Sequence, residues 1–182
     1  MSLRSVLLNI YMHTTAISLL IDPVELAGML QQLSLGSAVA GAFGIAGAAG
    51  ALAAPLAGRF ADRLGSTVVA RLAIGVALIG FALLLFGDGL SAAALLALLA
   101  LSALLFDFGF QSALVAHQTL VYGLLPAARS RLNALLFTGV FIGMASGGAL
   151  GTLALARWGW RGVAVLATGA AAASLLMRLR RA

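Results

Sequence analysis

The sequence predicts an all-α fold, a polytopic transmembrane helix bundle of five to six spans. Three observations predict it. Of the 182 residues, 63% are hydrophobic and only 9% are charged, where an ordinary soluble domain carries about 25% charge. The mean hydropathy is +1.12. The apolar residues also fall in runs close to the roughly 20 residues that cross a bilayer, separated by short groups of arginine, glycine and tryptophan. A soluble core of this size cannot hide so much apolar surface, so the bilayer is the natural solvent.

The elements follow in order. A first segment, Ser5 to Ile21, is short and carries Asn9, Tyr11, His13 and two threonines. It reads as a span, a signal anchor or a segment that does not insert. Residues 22–34, with Glu25 and Gln31-Gln32, are too polar to span. The second span runs from about Gly36 to Ala57 and ends at Arg59, Asp62 and Arg63. A third runs from about Val68 to Phe86 and stops at the turn Gly87-Asp88-Gly89. The fourth starts near Ser91 and stays apolar to Phe110. No strong breaker precedes Gly123 and Pro126, so its helix can continue to Tyr122. The fifth covers about Leu132 to Ala156. After the turn Arg157-Trp158-Gly159-Trp160-Arg161, a sixth covers about Gly162 to Met177. The domain division is therefore 1–34, a doubtful first span plus a polar segment, and 35–182, a transmembrane unit.

Arginine placement sets the expected orientation. The chain has a formal net charge of +6 and no lysine. With the segment after the second span inside, eight of eleven arginines are cytoplasmic, including Arg178, Arg180 and Arg181 at the C-terminus. Arg157, Arg161 and Asp88 fall outside. These clusters punctuate apolar runs and form no continuous basic face, so nucleic acid is not an expected partner. The lipid bilayer is. With no cysteine and only His13 and His117, neither a disulfide, a metal site nor a bound cofactor is expected.

Lipid gives helices no hydrophobic reason to associate, so small residues mark contact faces. Gly139, Gly143, Gly147 and Gly151 stand four apart on one face of the fifth span and are the candidate packing stripe. Gly36, Ala40, Gly44 and Ala48 form a similar one, though in a chain with 22 glycines such patterns also arise from composition.

Asp107 is the only acid well inside an apolar run. A carboxylate at a helix centre costs about 2.5–3.5 kcal/mol on insertion scales, so it faces protein or water rather than lipid. Gln111, Leu114 and Gln118 follow on its face, with Tyr122 close by. The stripe is polar except at Leu114. It either lines a cavity in which Asp107 takes up a proton, with Gln111 and Gln118 beside it, or it fixes packing by hydrogen bonding another helix. His117 lies off the stripe and reads as a satisfied polar residue. Arg131 and Asn133 read as anchor and cap of the fifth span. No enzyme is expected: Gly143-Met144-Ala145-Ser146-Gly147 has the wrong spacing for an intramembrane serine protease, and there is no His-Glu-x-x-His pair.

The segment Gly58-Arg59-Phe60-Ala61-Asp62-Arg63-Leu64-Gly65 resembles the G-x-L-A-D-R-x-G loop of the major facilitator superfamily. Asp107-Phe108-Gly109-Phe110-Gln111, with Pro126 to Asn133, looks like the tenth helix and following loop of its bacterial drug and sugar efflux members. The glycine stripe then falls where their eleventh helix would be. From about Leu35 on, the resemblance implies the C-terminal half of that fold, helices seven to twelve. It implies transport of a small-molecule substrate, with a proton as coupling ion, in a bacterial inner membrane. It implies a partner, an N-terminal six-helix half, and a conformational-switch loop of Gly58, Asp62, Arg63 and Gly65. In that loop Asp62 would bond the N-terminus of a helix in the partner half, and Arg63 would join the same charge network. Two departures stand out. Ser66-Thr67 follow Gly65 where the family has basic residues, and the segment before Leu35 makes a poor seventh helix, which predicts truncation, frameshift or a gene-model error upstream. A non-transporting membrane remnant or assembly partner is the alternative.

Overall fold

The computed structural model describes residues 53–180. The first segment, the polar stretch after it, the Gly36–Ala48 stripe and most of the second span lie outside the described residues. Within them the chain is helical, with no strand.

Helix α1 is Ala53–Leu64 and α2 is Ser66–Leu83, extended by a 3₁₀ turn at Leu84–Phe86. Helix α3 is Ala92–Leu124, capped by Ser91, whose hydroxyl accepts from the Ala94 N–H at 3.3 Å. It is one continuous helix well past Phe110, as the lack of a breaker predicts. After a 3₁₀ turn at Pro126–Ala128, α4 is Arg129–Leu179.

Among the described residues three helices are long and apolar enough to cross a membrane: α2, α3 and α4. A straight helix of 51 residues would reach about 76 Å, far beyond the roughly 30 Å hydrocarbon core. Gly159 resolves this. Its φ of 63° and ψ of −165° interrupt the helix between Trp158 and Trp160, in a region that side-chain-bearing residues rarely enter. The chain doubles back there. A Cβ on Gly162 would lie 3.3 Å from the Ala154 carbonyl oxygen, a residue about 12 Å away along a straight helix. The two limbs, 129–158 and 160–179, correspond to the fifth and sixth spans.

The limbs pack with α2 and α3 in alternating directions. At one end Arg161 approaches Asp88 at 3.5 Å, both well exposed. Towards the other end Leu175 packs on Ala73, Ile74 and Ala113. The second limb is therefore antiparallel to α2. The bundle has a tryptophan end, with Trp158 and Trp160, and an arginine-rich end, with Arg59, Arg63, Arg129, Arg131 and Arg178.

Among the described residues most of the buried apolar ones are alanine, so these helices meet through small side chains, as expected in lipid. One cluster joins α2 and both limbs of α4 through Ala77, Phe81, Ala154, Val163, Ala167 and Ala171, and Phe106 and Phe110 pack against it from α3. Another joins α3 to the first limb through Val121, Leu132, Leu136 and Val140. The closest crossing is between α2 and α3. A Cβ on Gly109 would stand 2.6 Å from the Ala73 oxygen and 2.7 Å from the Ala77 nitrogen. One on Gly80 would stand 2.9 Å from the Phe106 nitrogen. At that crossing the Ser102 hydroxyl donates to the Gly80 carbonyl at 2.7 Å, and Phe81 stacks on Phe106.

Candidate functional site

The first candidate region is the segment between α1 and α2. The sequence suggests a short loop over Gly58–Gly65. The structure shortens it to one residue. Helix α1 continues through Leu64, the Gly65 N–H bonds the Ala61 carbonyl at 3.0 Å, and the Gly65 carbonyl accepts from Val68 and Val69 to start α2. This works because Gly65 takes φ 85° and ψ 140°, a conformation nearly closed to other residues. Gly65→Ala should therefore cost about 1–3 kcal/mol, read as a loss of thermal stability in detergent. Gly58 behaves differently: nothing described lies within 4 Å of where its Cβ would be, so Gly58→Ala should leave that stability unchanged.

Asp62 and Arg63 are exposed in the last turn of α1. Arg63 suits the negative end of a helix dipole and Asp62 does not. Asp62 makes no ion pair among the described residues, so its place there does nothing visible for α1.

The second region is the stripe on α3. Asp107, Gln111 and Gln118 are all half-buried, along one edge of the helix. This edge is distinct from the α2-facing side, which Ser102, Gly109, Ala113 and Ala116 form. The Asp107 carboxylate makes no hydrogen bond or ion pair among the described residues. Leu114 packs against the Val121–Leu132–Leu136–Val140 cluster, so the first limb of α4 closes over the stripe at that point. The upper part, Asp107 and Gln111, is thus separated from Gln118.

Tyr122 ends the stripe by donating its hydroxyl to the Asn133 side-chain oxygen at 2.7 Å. Asn133 is therefore not the helix cap its position suggests. α4 begins at Arg129, with no side-chain cap, and Asn133 lies in its second turn, where it ties α4 to α3. His117 is buried, with Nδ1 2.6 Å from the Ala113 carbonyl oxygen. That bond runs within its own helix and leaves His117 off the stripe.

Gly143, Gly147 and Gly151 are buried and Gly139 is half-buried. The buried face of the first limb runs Leu132, Leu136, Val140, Gly143, Gly147, Gly151, Ala154. The glycines continue a line begun by larger residues. The crossing at Gly80 and Gly109, with Ser102, was not singled out by the sequence. Its signal was the small-residue spacing of Ser102, Gly109, Ala113 and Ala116, which an alanine-rich background hides. Among the described residues no group of histidine and acidic side chains could hold a metal.

These helices define a multi-pass membrane protein in which, among the described residues, one unpaired acid within a span sits beside a glutamine. The Major Facilitator Superfamily model matches residues 6–182, and the chain belongs to that family of transmembrane transporters. It is also similar to a probable transporter of Streptomyces coelicolor, 34% identical over 153 residues. That alignment covers 84% of this chain and 33% of the relative, so the chain spans about a third of the relative's length.

Proposed function

We propose that this chain supplies the C-terminal half, residues 35–182, of a proton-coupled exporter of small organic molecules in a bacterial inner membrane. The observation that carries the reading is Asp107: a half-buried carboxylate inside a membrane-spanning helix, with no polar partner among the described residues. A packing role predicts a donor on a neighbouring helix, and among the described residues none bonds the carboxylate. Such a carboxylate beside Gln111 suits a cavity wall, where it can take and release a proton while the glutamine bonds substrate.

The arginine-rich end and the C-terminus lie in the cytoplasm in this reading, following the bias of positive charge. Asp62 then reaches from the cytoplasmic end of α1 to a helix N-terminus of an N-terminal half, where exposed N–H groups favour a carboxylate. Among the described residues nothing packs on Gly58, which suits the approach of that helix. Substrate would bind between the halves near the midplane, and the halves would rock about it.

One half provides one wall of such a cavity. Purified alone into proteoliposomes, the chain should give no proton-driven substrate flux, and co-assembly with a matching N-terminal half should restore it. Robust flux from the lone chain would overturn the need for a partner. No flux with any N-terminal half would favour a non-transporting remnant.

A further inference from the structure

The arginine-rich end holds a feature that transport does not use. Arg71, on α2, and Arg178, near the end of α4, converge there. The geometry follows from the antiparallel packing: Leu175 lies on Ile74, and each arginine is three residues further towards the same end. Arg178 is 5% exposed, and Arg71 is close enough for the two charges to repel. The Arg71 Nε is buried without an acceptor. Among the described residues no carboxylate pairs with Arg71.

The surroundings of the pair are apolar and open. Val68, Leu72, Leu176 and Leu179 are 41%, 58%, 53% and 50% exposed, on helices long and apolar enough to cross a membrane. Arg71 stands about 8 Å inside the first residue of α2, a depth from which an arginine reaches the headgroup layer by extending its stem.

We propose that Arg71 and Arg178 form a binding site for the phosphate of an anionic phospholipid, whose acyl chains lie along Leu72, Leu176 and Leu179. A guanidinium holds phosphate through paired N–H donors, and an anion between two such groups relieves their repulsion. The exposed leucines select a lipid over a soluble anion, because a water-borne phosphate would leave them unmatched. The site rests only on the membrane placement of the helices and is independent of what is transported.

The full chain, placed in phosphatidylcholine nanodiscs with and without phosphatidylglycerol, tests this by native mass spectrometry of retained lipid. The wild type should retain phosphatidylglycerol, and inorganic phosphate should not displace it. Arg71→Gln should cut retention about fivefold, the weight of one arginine at an anionic surface, and Arg71→Lys should recover part of it. Arg129→Gln with Arg131→Gln removes two charges from the same end and should leave retention intact. Equal losses in both sets would reduce the effect to diffuse surface charge and overturn the site. So would full retention by Arg71→Gln, or displacement by phosphate. If Arg178→Gln loses helicity, half-buried Arg71 decides the matter.

Discussion

Gly109→Ala should lose at least about 2 kcal/mol of stability, and Gly109→Leu should not yield a folded bundle. The added methyl would stand 2.6–2.8 Å from the Ala73 oxygen and the Ala77 nitrogen and Cβ. Two of these atoms are backbone, so no rotamer change relieves the clash and α2 must move. Overpacking costs about 1–3 kcal/mol when side chains can adjust, occasionally more. Here the shift also disturbs the Ser102–Gly80 hydrogen bond and the Phe81–Phe106 stack. Alanine's better helix propensity returns up to about 1 kcal/mol, which is why the alanine variant weakens the fold and the leucine variant abolishes it. Gly75→Ala is the control: it lies on α2 with nothing described within 4 Å, so it should be neutral or slightly stabilising. Denaturant titration in detergent, followed by circular dichroism, separates the two. Equal stability of Gly109→Ala and Gly75→Ala would show that the crossing is looser than described.

The element boundaries were legible because lipid imposes a strong pattern. Apolar runs cannot hide, and Gly87-Asp88-Gly89 and Trp158-Gly159-Trp160 interrupt them where the chain turns. The contacts were less legible. Small residues mark contact faces only when they stand out, and Ser102, Gly109, Ala113 and Ala116 do not stand out among so many alanines. The Gly139–Gly151 stripe did stand out, yet regular spacing alone could not say that Val140, beside Gly139, takes the buried place on that face. A one-residue break at Gly65 was also beyond the pattern: a charged cluster reads as a loop, while the backbone keeps Asp62 and Arg63 on a helix. The polar stripe is a different case. Leu114 already interrupted it in the sequence, and it is where α4 closes over α3. The Tyr122–Asn133 bond depends on how the chain turns at Pro126, which no local pattern encodes.

Asp107→Asn should separate transport from folding. Under the proposed reading, an assembled transporter carrying it loses proton-driven accumulation, by tenfold or more for a group that must exchange its proton in every cycle. An order of magnitude corresponds to about 1.4 kcal/mol. Counterflow exchange of substrate, which needs no net proton movement, should survive. Stability should not fall. The amide keeps the size of the side chain and removes a charge that costs about 2.5–3.5 kcal/mol in a membrane helix, and no ion pair among the described residues is lost with it. A packing role predicts the reverse: a destabilised bundle, with accumulation and counterflow lowered together. Gln111→Ala refines the result. It leaves the carboxylate untouched, so it should weaken apparent substrate affinity while the ratio of protons to substrate stays as it was. If Asp107→Asn keeps full accumulation, the coupling proton is carried elsewhere, and the carboxylate has to be explained by packing against residues outside those described.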